Sequence, residues 1–217
     1  MALVRSVNLG SARPIRTSIG TTGIDKRPVE GPVRVLVPAA GASGLSGDTI
    51  CETRHHGGPD QAVYAYARED LDRWEADLGR SLRSGSFGEN LTTEGLDLTA
   101  AVLGEHWRVG YGLVLQVTLP RIPCRTFATW LAEAGWVKTF TLRAAPGAYL
   151  RVLRPGTVRA GDPVVVTDRP DSPVTVGLAF RAITTEPELL PLLLEAPAVP
   201  DELRDIARRR VPVGLDG

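Results

Sequence analysis

The sequence predicts a mainly β protein: a β-barrel with a few peripheral helices and a small helical appendage at its C-terminal end. Three observations predict it. Short β-like stretches separated by glycine and proline dominate the first three quarters of the chain. Two segments break that pattern with helical spacing. After Thr167 a turn-rich stretch, Asp168-Arg169-Pro170-Asp171-Ser172-Pro173, gives way to a leucine-rich, helix-prone tail.

The strand candidates, in order, run from Leu3 to Leu9, Val33 to Val37, Ala62 to Tyr66, His106 to Val109, Val114 to Leu119, Leu150 to Val152 and Pro163 to Thr167. The first helix candidate, Arg68 to Leu78, sets Leu71, Trp74 and Leu78 on one face; it has acidic residues at its start and Gly79 at its stop. The second covers Phe127 to Ala134. In the tail, Glu188 to Glu195 and Asp201 to Arg210 read as two short helices, with Pro187 and Pro200 near their starts. The basic end, Arg204 to Arg210, reads as a solvated helix face in preference to an anion patch. The expected organisation is one domain: a barrel over residues 1–167, and a linker with a helical extension over residues 168–217.

The 217 residues balance 25 basic against 25 acidic side chains, so no global field favours nucleic acid or an anionic membrane, and any anion site must be built locally. No window approaches the apolar length of a membrane span, and the first residues lack a signal-peptide pattern, so the expected location is the cytoplasm. Cys51 and Cys124 are the two cysteines, expected to be free thiols in a reducing compartment. No CxxC or HxxxH spacing supplies a zinc site, and no GxGxxG follows a strand to bind flavin or nicotinamide.

Three segments suggest chemistry. In Arg54-His55-His56-Gly57-Gly58-Pro59-Asp60 the paired glycines permit close backbone approach beside His56, which suits either ligand contact or a tight turn whose histidines cap neighbouring carbonyls. Phe87-Gly88-Glu89-Asn90-Leu91 is a compact turn; its amide can offer donor and acceptor to a ligand or close a structural Asx-turn. Pro120-Arg121-Ile122-Pro123-Cys124 follows a strand. Two prolines stiffen the backbone there, and Arg121 and Arg125 favour a thiolate on Cys124, which is both a nucleophile and a soft metal ligand.

Taken in order, these segments resemble the MOSC domain family, named after the C-terminal part of molybdenum cofactor sulfurase, and within it the stand-alone bacterial proteins with a short helical extension. The resemblance runs from Pro28-Val29-Glu30-Gly31-Pro32-Val33 through Gly44-Leu45-Ser46-Gly47-Asp48, His56-Gly57-Gly58, Gly88-Glu89-Asn90-Leu91 and the cysteine loop. It ends in Tyr149-Leu150-Arg151-Val152-Leu153, Ala160-Gly161-Asp162 and Ala179-Phe180-Arg181. It implies a MOSC-type β-barrel around a cleft, with Cys124 either ligating molybdenum of the pyranopterin cofactor or carrying sulfur as a persulfide. On the first reading the protein reduces N-hydroxylated bases or amines, a small-molecule substrate, with electrons from a partner reductase. The cofactor contacts would then come from Arg54, His56, Gly57, Gly58, Glu89, Asn90, Arg121 and Arg125. On the second, Cys124 accepts sulfane sulfur from a cysteine desulfurase and delivers it to a metal centre. Pyridoxal phosphate is a family-level association only, since neither Lys26 nor Lys138 lies in a Schiff-base setting. Basic contacts that relatives carry before the paired glycines and after the cysteine fall here on Thr53 and Thr126, so Arg54, Arg121 and Arg125 would replace them.

Overall fold

The structure, a computed structural model, describes residues 1–209 and 211–214; Arg210, the end of the expected second tail helix and its basic run, lies outside the described residues. Along the chain the elements are β1 (Leu3–Gly10), β2 (Arg13–Pro14), β3 (Thr21–Thr22), β4 (Lys26–Pro28), β5 (Val33–Val35), β6 (Val63–Ala67), α1 (Arg68–Leu78), β7 (Leu91–Glu94), β8 (His106–Val109) and β9 (Leu113–Pro120). They continue with α2 (Arg125–Leu131), α3 (Trp136–Arg143), β10 (Ala148–Arg154), β11 (Gly156–Val158), β12 (Val164–Asp168), α4 (Val176–Thr184), α5 (Leu190–Glu195) and α6 (Asp201–Arg209). Where the sequence shows a clean period, the element stands close to where it is expected. The α1 helix buries Leu71 and Trp74 and stops at Gly79, whose φ of 63° is the left-handed turn that a glycine adopts without strain.

Eight strands form one sheet in the order β12-β8-β9-β10-β6-β7-β1-β4, antiparallel except for β6 and β7. That parallel pair needs a crossover, and α1 supplies it. Among the described residues the strands do not close into the expected barrel. The sheet curls until Leu3 bridges Pro163, with the Val4 N–H donating to Asp162 O at 2.9 Å, but no ladder continues from there. The reason lies in β1, whose Asn8, Leu9 and Gly10 pair with β4, leaving only its first residues to meet the strand at the other end of the order.

Two apolar clusters fill the interior. The aliphatic one joins the sheet (Val63, Leu115, Leu150) to the C-terminal helices through Val176, Ala179, Leu193 and Leu203. The tail therefore shares the core of the sheet. The aromatic cluster packs Tyr64, Tyr66, Trp74, Phe87, Phe127, Trp136, Phe140 and Phe180 behind the loop that carries Cys124. The α3 helix has no counterpart among the sequence expectations: Trp136, Val137, Phe140 and Thr141 are poor helix formers, and burial of all four in tertiary contacts stabilises the helix in place of propensity. The basic tail is tied down at Arg204, which donates to the carbonyls of Val199 at 3.0 Å and Ala196 at 2.8 Å. No helix among the described residues is long and apolar enough to cross a membrane.

Candidate active site

One cleft gathers most of the chemistry, at the end of the sheet where β9 leaves, and β6 and β10 begin. It measures about 690 Å³, counting space open to solvent. Its floor carries Tyr64, Tyr149, Arg121 and Cys124; the hairpin of β2 and β3 and the 48–57 loop border it. Cys124 is held between the end of β9 and the first residue of α2, with extended backbone (φ −126°, ψ 168°). The prolines at 120 and 123 lock φ and lower the conformational freedom of the link.

Burial alone would push the Cys124 thiol up. The His56 imidazole within hydrogen-bonding reach, the Arg121 charge and the Phe127 backbone N–H outweigh it, bringing the thiol from an ordinary 9.0 down to about 6. The thiolate is therefore the prevailing form at neutral pH. In a Cys51→Ala background, alkylation of Cys124 by iodoacetamide is expected to rise with pH about a midpoint near 6. The His56→Ala change should move that midpoint upward. A wild-type midpoint near the ordinary 9.0 would show that His56 and Arg121 do not act on the sulfur.

Arg121 is 5% exposed. Its guanidinium carbon lies 4.0 Å from the Phe127 ring centroid and 5.1 Å from that of Tyr64, and one terminal nitrogen donates to Phe87 O. No carboxylate pairs with it among the described residues, and its Nε has no hydrogen-bond partner. A buried guanidinium with a free donor beside a cleft is suited to an anion.

His56, Gly57, Asn90, Arg121 and Cys124 line this cleft together; Arg54, Gly58, Glu89 and Arg125 do not. Arg54 and Arg125 are exposed, so their charges are spent in water. Gly58 is buried under the 40–42 turn, its N–H donating to Ala42 O at 2.9 Å. Glu89 is fully buried and accepts from the N–H groups of Gly85 at 2.5 Å and Phe87 at 3.0 Å and from Thr92 Oγ1 at 2.8 Å, which fastens the turn behind the site. The Glu89→Ala change strands those donors and is expected to cost about 1–3 kcal/mol for each one left unsatisfied, read in a urea melt. Asn90 faces the cleft, but its amide is engaged: Oδ1 accepts from Tyr64 N at 3.1 Å and Nδ2 donates to Asp48 at 2.9 Å.

Sequence reasoning missed Lys26, Asp48, Tyr64 and Tyr149, all on the cleft wall. Lys26 carried one signal, being one of two lysines among 25 basic residues. Cys51 also lines the cleft. Among the described residues no three His, Cys, Asp or Glu side chains gather as a metal cluster.

The structure is thus a curled, mostly β sheet with helices at its edge and a cysteine-lined cleft at one end. The MOSC domain family matches residues 52–165, and the chain belongs to that family. Among relatives, it is 33% identical to the uncharacterized protein YflK of Bacillus subtilis over 82% of this chain and 79% of that one. It is 28% identical to a Gibberella moniliformis protein named "Reductase" over 88% of this chain, which spans only 34% of that longer protein. YiiM of Escherichia coli is 33% identical over 58% of this chain and 57% of its own length. The crystal structure of YiiM from Geobacillus stearothermophilus superposes with a TM-score of 0.79 at 26% identity, covering 97% of this chain and all of that one.

Proposed function

We propose that this chain binds the molybdenum cofactor in the cleft and reduces N-hydroxylated bases or amines there, with electrons from a separate reductase. The observation that carries the reading is the Cys124 thiolate set beside an unpaired buried guanidinium. The residues fit the group. Cys124 offers one soft donor, which suits a metal whose other ligands arrive with the pterin. The Arg121 guanidinium, which lines the cleft and has no carboxylate partner among the described residues, suits the cofactor's phosphate. When bound, the cofactor would supply the two-electron redox chemistry that the side chains lack. The chain's part is to hold the thiolate deprotonated through His56 and Arg121 and to exclude water with Tyr64 and Tyr149. Family membership and the fungal relative named "Reductase" support the same reading.

Protein expressed in a cofactor-competent host is expected to contain molybdenum and pterin and, with a low-potential electron donor, to convert an N-hydroxylated purine to the amine. Tungstate-grown protein should fold but not turn over. A second reading, sulfur carriage on Cys124, is favoured by one observation, the presence of Cys51 on the same cleft as a thiol able to take part in sulfane transfer. If tungstate-grown protein accepts sulfur from a cysteine desulfurase at the wild-type rate while the molybdenum form never reduces the purine, the carrier reading replaces the first.

A further inference from the structure

The cleft holds a second cation that the site's chemistry above does not use. Lys26, at the start of β4, is 7% exposed and lines the cleft together with Cys124. Its ammonium donates to both oxygens of Asp48 at 2.5 Å. That carboxylate is 1% exposed and fixed from three further sides, by the N–H of Gly10 at 2.8 Å, Ser43 Oγ at 2.7 Å and Asn90 Nδ2 at 2.9 Å. An ammonium has three donors. Among the described residues the Asp48 oxygens are its only acceptors, so one N–H is left over for whatever occupies the cleft.

Reduction of an N–OH group needs protons as well as electrons, and the other cleft groups are ill suited to give them. Arg121 does not release a proton near neutral pH. Cys124 is already a thiolate, and the His56 donor is directed at it. Burial holds the Tyr149 phenol up at about 12 and Tyr64 higher still. Burial pushes Lys26 the other way, down from 10.5; Asp48 and Glu89 oppose the shift and Arg121 adds to it. Lys26, Arg121 and Cys124 line the same cleft.

We propose that Lys26, steadied by Asp48, is the proton donor of the cleft, protonating the substrate oxygen as the N–O bond breaks. The proposal rests on the reductive reading above. In the balanced reaction an N-hydroxylated amine, two electrons and two protons give the amine and water. The N–O bond breaks with its electron pair leaving on oxygen as hydroxide, and the two electrons supplied by the reductant end on nitrogen. Lys26 supplies the proton that converts the departing hydroxide to water. Nitrogen takes the second proton from solvent, from which the Lys26 amine is also recharged. The electrons come from the external low-potential reductase.

Lys26 and Lys138 are the only lysines, and Lys138 is exposed. Protein grown on lysine carrying 13C at Cε should therefore give two NMR signals, and Lys138→Arg assigns the buried one without touching it. The buried signal is expected to titrate below the ordinary amine value of 10.5. A buried signal that titrates at 10.5 or above would overturn the proposal. In the loaded enzyme, Lys26→Arg keeps a cation beside Asp48 but releases no proton. It is expected to lower kcat by about 10²-fold or more with KM little changed, and to remove the alkaline limb of the pH profile. Ethylammonium, but not tetramethylammonium, should restore part of the turnover of Lys26→Ala. An active wild type whose Lys26→Arg variant runs at the same rate and pH profile overturns Lys26 alone. A loaded wild type that never reduces the N-hydroxylated purine overturns the reductive reading, and this proposal with it.

Discussion

Replacing Cys124 with serine is expected to leave the thermal melt within about 1 kcal/mol of wild type and to abolish both molybdenum retention and sulfur acceptance. The first half follows from placement: Cys124 is only partly buried and sits at the rim of the aromatic cluster, so an oxygen in place of sulfur removes little packing. The second half follows from acidity and softness. His56, the Arg121 charge and the Phe127 N–H bring the thiol to about 6, whereas the same surroundings cannot ionise a serine hydroxyl near neutral pH, and a hard neutral oxygen is a poor ligand for a metal that takes thiolate. Metal analysis beside a urea melt of the same preparation checks both halves. Equal molybdenum content in variant and wild type would remove Cys124 from the site. Cys51→Ala, by contrast, should be mild; a loss equal to that at Cys124 would indicate a relay between two thiols.

The largest expected stability change lies behind the cleft. Trp74 is 1% exposed, its ring centroid 4.7 Å from that of Trp136 and stacked on Phe140 at 6.2 Å, and its indole N–H donates to Tyr66 Oη at 2.9 Å. Trp74→Ala is expected to cost about 3–5 kcal/mol, because the neighbouring rings are shared among α1, α3 and the Cys124 loop and cannot collapse into the space. A urea melt with unchanged slope and a lower midpoint is the expected observation. A loss below about 1 kcal/mol would mean that the cluster repacks. The same cluster holds Arg121 between Phe127 and Tyr64, so the variant should also weaken the alkylation preference of Cys124 for the thiolate. Arg121 thus belongs to the packing as much as to the cleft, and Arg121→Ala should cost stability as well as anion affinity.

The sequence by itself determined the elements with a clean period: the strand from His106 to Val109, the α1 helix with its glycine stop, and the stiff link from β9 to Cys124. These are local properties, set by side-chain alternation, by the φ preferences of glycine and proline, and by the order of neighbouring residues. It also determined the family, because the motifs from Pro28 to Asp162 follow one another in a fixed order. Closure of the sheet, by contrast, depends on which edge of β1 is free after β4 has paired with it, and no period along one strand records that. Which side chains face Cys124 was settled by packing. Arg121 and Arg125 flank it equally in the chain, yet helix α2 turns one outward while the aromatic rings draw the other in, and His56 arrives from a loop 68 positions away. Lys26 and Asp48, 22 residues apart, become a buried pair because β4 and the 43–48 turn close over the same end of the sheet. Charge acts through space, whereas sequence order records only neighbours along the chain, so the chemistry of the cleft is set by packing.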